Sequence, residues 1–441
     1  MKNQNLVRYM PKISFLFLAL LGFRAVNAQQ VLSLESAIAI AMENNYNVQI
    51  AQEQIAAAEN EIYKGNAGMT PTIDWNTNVN GNLSQVNQVF LDDRKINRLG
   101  QSFSPNTQLQ LNWTLYDGRR MQAQLENLKS QGQLTQIQKR LVMLQTMAQV
   151  MQTYYQIQRL DQSVGYLKKI IGYYEDRLKL TEERWQIGRG SKLDYLQSKT
   201  DLSVQQSDLA NVINQLNVNK IELNKLLARD PEEDFVVSEL SELAPAYSLA
   251  ELIEKSKTNN QELLVLQKNR EISLINQQIA SSFLKPRIGL NSSFGYNFNK
   301  NNAGFLAINQ SLGLGAGVSA TWNVFNGHQT QRNIQAAKIQ TSIIDKRKES
   351  LLNDIENDIT QAYQQYLNDI KVLEIEKENS EVTDENLKIS LEKFRLGAST
   401  ILEYNEAQRR YDASLTRLVN ARFNLRISEL ELLRISGLLL Q

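Results

Sequence analysis

The chain carries one six-residue pattern twice, as Trp113-Thr-Leu-Tyr-Asp-Gly118 and as Trp322-Asn-Val-Phe-Asn-Gly327. Segments on both sides repeat in the same order: Ser33-Leu34 with Asn44-Asn45 returns as Ser248-Leu249 with Asn259-Asn260, and Gly188 with Asp194-Tyr195 returns as Gly397 with Glu403-Tyr404. The matching order extends far beyond the roughly 20–50-residue period of solenoid proteins. We therefore interpret the sequence as the duplication of one whole structural unit.

The residues before each copy of the pattern alternate between polar and apolar. Even positions from 72 to 82 and from 106 to 114 are polar, most of the odd positions between them are apolar, and the second repeat alternates similarly. Such alternation is typical of β-strands with one apolar face. Each predicted strand is long enough to cross a bilayer as a tilted barrel strand. The four predicted strands lie at about 71–84, 105–117, 286–299 and 311–325.

The segments that follow the pattern are predicted to be long helices. No proline occurs between 106 and 230 or after 286, and both stretches are rich in residues that favour helix. The predicted helices span 119–187 and 328–396, roughly 100 Å each if continuous, and a shorter helix follows each one. Helix-stop and helix-start signals mark two tip turns, at 187–191 and 396–400. Their residues are Gly188, Gly190, Ser191, Gly397, Ser399 and Thr400.

Two interpretations of the predicted strands remain open. A water-soluble sheet packed on the helices accounts for one apolar face. A transmembrane barrel also accounts for the strand length and for aromatic residues near the strand ends, which would lie at the membrane interface: Trp113, Tyr116, Trp322 and Phe325. Four strands cannot close a barrel, and lipid does not tolerate open sheet edges, so the membrane interpretation requires an oligomer. In both interpretations Gly118 and Gly327 form corners between a strand and a helix.

The N-terminal residues have the pattern of a secretory signal. Lys2, Arg8 and Lys12 precede an apolar run at 13–23, and Val26-Asn27-Ala28 offers small residues for cleavage. The run is too short to span a bilayer as a helix. We therefore predict a signal peptide at 1–28, a first repeat at 29–230, an inter-repeat linker at 231–247 and a second repeat at 248–441.

Composition argues against nucleic-acid binding and against enzyme chemistry. The formal net charge is +1 at pH 7, without the basic excess that a nucleic-acid partner requires. The chain has no cysteine and one histidine, His328, so it lacks a Cys/His nucleophile pair and a clustered His/Cys metal site. No Gly-rich phosphate loop or nucleophile elbow occurs. We predict no catalytic residue, no metal site and no cofactor.

Together these features resemble the TolC family of outer-membrane efflux proteins. The resemblance rests on the signal, the duplicated helix–strand–strand–long helix–helix unit, the pattern at 113–118 and 322–327, and the tip segments 184–195 and 393–404. It implies a mixed α/β membrane protein, a homotrimer whose twelve strands form a transmembrane β-barrel continued by a long periplasmic α-helical barrel. The tips would contact a periplasmic membrane fusion (adaptor) protein and, through it, an inner-membrane transporter.

The expected function is a passive exit duct in the outer membrane of a Gram-negative-type cell, surrounded by outer-membrane lipid. It would serve a tripartite efflux or type I secretion system. The alternative is a soluble periplasmic structural or adhesive coiled-coil protein whose strands form a soluble sheet. Extraction distinguishes the two, because only the duct requires detergent.

In the family, acidic residues of the second tip form rings at the tunnel entrance, and the matching residues here are Glu403 and Glu406. Three copies of each would favour cations over anions. Ser191-x-x-Asp194 and Thr400-x-x-Glu403 are also capping-box patterns, so Asp194 and Glu403 either cap helices or line the pore constriction. Glu406 has no capping partner at that spacing.

The resemblance also implies a closed-state link between a tip acid of the first repeat and a tyrosine and an arginine of the second. Asp194 matches the acid, but the other two positions hold Phe394 and Ser399. Neither residue can form a charged link. Arg395 and Lys192 are the substitutes that the sequence offers.

Overall fold

The computed structural model describes residues 30–238, 247–303 and 306–439. The predicted signal peptide at 1–28 lies outside these residues, as does part of the predicted linker. The elements of the first repeat are β1 (Gln30–Leu32), α1 (Leu34–Asn44), α2 (Tyr46–Glu61), β2 (Thr72–Val89), β3 (Lys95–Tyr116), α3 (Arg120–Gln186) and α4 (Lys192–Leu226). β4 (Phe235–Val237) lies within the predicted linker. The elements of the second repeat are α5 (Leu249–Asn259), α6 (Gln261–Ser282), β5 (Arg287–Asn301), β6 (Ile308–Thr321), α7 (Gln329–Arg395) and α8 (Ile401–Ser436).

Each repeat contains one very long helix and a shorter helix that packs back along it. α3 and α7 are both 67 residues long, so each extends roughly 100 Å. α4 and α8 return over 35 and 36 residues. Among the described helices, none combines the length and the apolar character that crossing a membrane requires.

Within the described residues, three apolar cores hold the helices together. One lies within the first repeat and includes Val150, Tyr154 and Leu223 of α3 and α4. A second lies within the second repeat, between α5, α6, α7 and α8. The third joins the repeats near the tips, because Ile170 and Tyr174 of α3 pack against side chains of α7 and α8. The repeats are therefore fastened to each other at the tip end by a core of their own.

Strands from both repeats form one antiparallel sheet in the order β2-β3-β5-β6. Cross-strand partners put apolar side chains on one face and polar or glycine residues on the other. One apolar row is Trp75, Leu109, Phe294 and Leu314. The adjacent polar row is Asp74, Gln110, Ser293 and Gly315. The apolar face is exposed in the single chain, with Leu314 at 76% relative exposure.

The strand boundaries differ from the sequence prediction. The ladder of β2 and β3 continues to the pair Val89 and Lys95, so a turn at 90–94 replaces the predicted connection at about 84–104. The prediction ended the strands early because polar residues interrupt the alternation in this stretch. The backbone hydrogen bonds that pair the strands do not require alternating side chains, so the ladder continues. β6 ends at Thr321 rather than at 325, which places Trp322 and Phe325 after the strand.

A short parallel pair, not predicted from the sequence, joins the start of the first repeat to the segment that follows α4. Val31 and Leu32 of β1 pair with Val236 and Val237 of β4, which lies inside the predicted linker. The Tyr154 hydroxyl of α3 donates a hydrogen bond to the carbonyl of Leu32 at 2.8 Å. This pair anchors the chain that leaves α4 against the middle of α3.

Both strand-to-helix corners have the same backbone conformation. Gly118 and Gly327 have φ values of 75° and 66°, and Arg119 and His328 that follow them are also left-handed. A Cβ at Gly118 would lie 2.7 Å from the carbonyl oxygen of Ser282, so glycine is required there for space as well as for conformation. His328 is exposed and contacts the ring of Phe325 edge-on.

Candidate functional site at the helical tips

Each long helix ends in the same glycine-terminated turn. Gly188 and Gly397 follow the last helical residues with φ values of 73° and 77°. The next backbone N–H in each tip reaches the carbonyl five residues earlier, Arg189 to Arg184 at 2.8 Å and Ala398 to Lys393 at 2.9 Å. This is the Schellman arrangement, which satisfies carbonyls at a helix end and needs a residue that tolerates positive φ.

The two returning helices begin with different caps. At α8 the Thr400 side chain accepts from the backbone N–H of Glu403, and the Glu403 carboxylate accepts from the backbone N–H of Thr400, both at 3.3 Å. This reciprocal pair is the capping box. At α4 the Ser191 hydroxyl accepts instead from the N–H of Leu193 at 3.1 Å. Glu403 therefore takes part in the predicted capping box. At the other tip, Ser191 caps α4 through the backbone N–H of Leu193 and not through that of Asp194.

Glu406 lies on the exposed side of α8, about one turn after the capping residues Thr400 and Glu403. Its carboxylate accepts hydrogen bonds from Arg410 at 2.8 Å and from Arg409 at 2.9 Å. The Arg410 bond lowers the pKa of Glu406 below its ordinary value, with a smaller contribution from Arg409. Glu406 therefore stays ionised, but two arginines of its own helix offset its charge.

A small cavity of about 130 Å³ lies between the two tips. It brings together residues that are distant in sequence: Gly190 and Asp194 from the first tip, and Ser399 and Thr400 from the second. Arg184 and Arg189 also line it. Glu403 and Glu406 do not, so the candidate acids occupy two separate places.

The positions that depart from the family's closed-state link make other contacts. Phe394 stacks parallel on Tyr404 with 5.6 Å between ring centroids. Arg184 of the first repeat lies over the Phe394 ring at 4.1 Å and donates a hydrogen bond to its carbonyl. Ser399 has a buried hydroxyl oxygen without a hydrogen-bond partner among the described residues. An aromatic stack under an arginine thus occupies the place at which the resemblance implied a charged link.

Arg395 and Lys192, the residues predicted to substitute in the closed-state link, make different contacts. Arg395 bonds Glu392 of its own helix at 3.1 Å and approaches Asp176 of the first repeat at 3.9 Å. Lys192 lies over the Trp185 ring, within its own repeat. Of the two, Arg395 alone reaches a carboxylate of the other repeat in the described structure.

A buried arginine that contacts both repeats was not predicted from the sequence. The side chain of Arg177 in α3 is only 2% exposed and lies 2.5 Å from the Asp201 carboxylate of α4. It also donates to Asn405 at 2.7 Å and to Gln408 at 3.1 Å, both in α8. The guanidinium lies 4.7 Å from the centroid of the Tyr174 ring. One buried cation therefore joins three helices from both repeats.

Further polar contacts continue along α3 away from the tip. Tyr174 donates to the Asp412 carboxylate at 3.0 Å. Lys169 donates to the Tyr411 hydroxyl at 2.7 Å, and Arg159 donates to Asn420 at 2.9 Å. The repeats are thus joined by a line of hydrogen bonds between α3 and α8.

The predicted interfacial aromatics lie together at the helix end of the sheet. The indole N–H of Trp113 donates to the carbonyl of Met69 at 3.0 Å, and that of Trp322 donates to the carbonyl of Leu284 at 3.1 Å. The rings of Trp113, Tyr116, Trp322 and Phe325 remain exposed. Each indole therefore ties a strand end to the segment that precedes the neighbouring strand.

A sequence model described as outer membrane efflux protein matches the chain twice, at residues 37–229 and 252–438. This chain belongs to the outer membrane efflux protein family. The predicted membership of the TolC family is confirmed, and so is the predicted location in the outer membrane with a large periplasmic helical part. The family consists of channel proteins, and the match does not favour the soluble coiled-coil alternative.

Solved structures of bacterial membrane proteins have the same fold. The outer membrane protein VceC from Vibrio cholerae is 13% identical, with a TM-score of 0.72 over 92% of this chain and 96% of that one. The Campylobacter jejuni channel CmeC is 14% identical, with a TM-score of 0.74 over 92% and 85%. A membrane protein from Pseudomonas aeruginosa is 17% identical, with a TM-score of 0.76 over 93% and 91%. Among curated proteins no sequence matches this chain.

One ionisable group of this efflux protein makes the α3–α8 contact sensitive to pH. Burial raises the pKa of Asp412 to about 6, although the bond from Tyr174 and the charge of Arg177 act in the opposite direction. An unfolded aspartate has a pKa of about 3.9. Because the folded value is higher, the contribution to stability is fully present below about pH 4 and is lost as pH rises through about 6.

We therefore expect the tip end of α8 to open more readily at pH 7.5 than at pH 5. Hydrogen–deuterium exchange of the first turns of α8, measured at matched intrinsic exchange, reports this opening. Asp412→Asn keeps an acceptor for Tyr174 and removes the titration, so its exchange should not change over this range. Equal pH dependence in Asp412→Asn and the wild type would contradict the assignment to Asp412.

Proposed function

We propose that this protein is the outer-membrane exit duct of a tripartite efflux or type I secretion system, which passively conducts substrates to the exterior. The observation that carries the proposal is the sheet: its apolar face continues across both repeats, while β2 and β6 each have one strand partner. Lipid would cover the apolar face. It would not tolerate the two open edges.

A homotrimer removes the open edges. β6 of one copy would pair with β2 of the next, so three copies give twelve strands in a closed transmembrane barrel. The opposite face, with its asparagine, glutamine, serine and glycine residues, would line a wet interior. α3, α4, α7 and α8 would continue the barrel as a periplasmic tunnel.

The proposed chain division is a signal at 1–28, repeats at 29–230 and 248–441, and a linker at 231–247.

The tips are proposed to dock a periplasmic membrane fusion protein, which couples the duct to an inner-membrane transporter. Both tips present an aliphatic residue at each end of the turn, and all four are exposed: Ile187, Leu193, Leu396 and Leu402. Gly188, Gly190, Ser191, Gly397, Ser399 and Thr400 shape these turns. Exposed aliphatic side chains in matching places favour a partner that contacts both tips. The transporter would supply the energy, and the duct would need no cofactor.

Glu403, Glu406 and Asp194 are proposed to set the charge of the tunnel entrance. Three copies of each carboxylate in a narrow throat would attract cations. Glu403 would serve both as a cap and as a pore acid. Only one of its carboxylate oxygens accepts the capping hydrogen bond, and the carboxylate keeps its negative charge. Glu406, which is already paired with Arg409 and Arg410, would contribute less than an unpaired acid.

The test is the mass and the conductance of the purified protein. We expect mild detergent to be required for extraction and the mass to be close to three chain masses. In planar bilayers the trimer should form cation-selective pores. Glu403→Gln keeps a residue that can complete the cap but removes the charge, so it should lower cation selectivity without unfolding the tip. A soluble monomer would contradict the duct, whereas unchanged selectivity in Glu403→Gln, Glu406→Gln and Asp194→Asn would contradict only the pore acids.

A further inference from the structure

Four chain segments link helices to strands at one end of the sheet, at 62–71, 117–119, 283–286 and 322–328. Direct contacts hold them side by side. The Trp113 and Trp322 indoles bond the first and third segments, and Gly118 packs closely against the backbone of Ser282 and the side chain of Lys285. We call these segments, with the first turns of α3 and α7, the junction belt.

The junction belt carries a strong excess of positive charge. Lys64, Arg119, Lys285 and Arg332 are exposed, and within the described residues none has a carboxylate at ion-pair distance. The only acid of the belt is Asp117, which is buried and bonded to Arg120 at 3.2 Å. Glu61, the exposed last residue of α2, accepts a hydrogen bond from Asn66 of the belt at 2.9 Å and offsets part of this charge. The exposed cations still outnumber the acids in and beside the belt, which leaves a positive field on this part of the surface.

Exposed apolar side chains lie in or directly beside each of the four segments. Tyr63 precedes Lys64, Tyr116 lies near Arg119, Phe283 and Leu284 precede Lys285, and Val324 and Phe325 precede Arg332. Val324 is 78% exposed and Phe325 is 73% exposed. Aromatic rings favour the interface between hydrocarbon and water, and lysine and arginine beside them are attracted to anionic headgroups.

We infer that the junction belt binds the anionic glycerophospholipids of the membrane leaflet that faces the helices. This inference rests on the proposed duct, because the belt meets a leaflet only if the sheet is in the membrane. The cations are distributed over four segments, each beside its own exposed apolar residue, and do not converge on one point. That arrangement fits a charged lipid surface better than a single phosphate or an acidic peptide. Anionic headgroups would then fix the depth at which the sheet lies.

The test measures lipid retention by the detergent-extracted oligomer. Native mass spectrometry follows binding from an equimolar mixture of phosphatidylglycerol and phosphatidylcholine with the same acyl chains. The belt variant combines Lys64→Gln, Arg119→Asn, Lys285→Gln and Arg332→Gln. Asparagine is used at Arg119 because its φ is 74° and asparagine tolerates that conformation. The matched control combines Lys179→Gln, Lys199→Gln, Lys371→Gln and Lys377→Gln, which remove four exposed cations far from the belt.

We expect the wild type and the control to prefer phosphatidylglycerol, and the belt variant to lose roughly tenfold or more of that preference. Salt provides a second measurement on the unmodified protein. Retention of phosphatidylglycerol should fall as ionic strength rises, because screening weakens exposed charges. The inference would be overturned if the belt variant preferred phosphatidylglycerol as strongly as the wild type does. It would also be overturned if the preference of the wild type did not change with salt. Failure of the duct itself is distinguishable, since a protein that needs no detergent would retain neither lipid.

Discussion

Leu111→Arg should prevent stable assembly of this protein in the outer membrane. Leu111 lies on the apolar face of the sheet, in a row across all four strands with Ile73, Ser292 and Ala316, of which only Ser292 is polar. An arginine on the lipid face near the middle of a bilayer costs about 2–4 kcal/mol in each chain, and the proposed trimer contains it three times. The measurement is the fraction of protein in washed membranes that migrates as a heat-dissociable trimer.

The adjacent residue provides the matched control. Gln110 belongs to the polar row with Asp74 and Ser293, so Gln110→Arg puts the same charge on the opposite face of the same strand. Assembly of Gln110→Arg should be close to that of the wild type. If both variants assembled equally well, the apolar face would not be in lipid.

Arg177→Met should loosen the contact between the repeats at the tips. It removes the cation from a buried pair and leaves Asp201, Asn405 and Gln408 without their shared donor. Breaking a buried ion pair by removing one partner costs about 3–5 kcal/mol. We expect the lower end of that range, because the Asp201 side chain is 30% exposed and keeps a bond from Gln197.

Two measurements follow this change. Hydrogen–deuterium exchange should increase in the first turns of α8, and the reconstituted duct should spend more time open without a partner. Lys179→Met is the control, since Lys179 lies on the same helix and is exposed. Arg177→Lys should be intermediate, because an ammonium keeps the charge but cannot serve the acceptors in the fork geometry. Unchanged exchange in Arg177→Met would mean that the core around Tyr404 holds the tips without the cation.

The departures from the expected closed-state link have a physical basis in this network. Phe394 and Ser399 cannot form charged bonds, and Phe394 instead lies between Tyr404 and Arg184. The two arginines of α3, Arg177 and Arg184, are one heptad apart and both reach the second repeat. A heptad pattern identifies the face of a helix, but it does not distinguish a buried arginine from a solvated one until the neighbouring helices are in place.

The sequence alone determined the local structure of this protein. Alternation predicted the strands, proline-free stretches predicted the two long helices, and Gly188 and Gly397 predicted the tips, because all three signals depend on residues close together in the chain. The tertiary structure decided what joins the repeats: the pairing of β3 with β5, the extended ladder to Val89 and the burial of Arg177. These features depend on partners that are far away in the chain, and neither periodicity nor turn chemistry specifies distant partners.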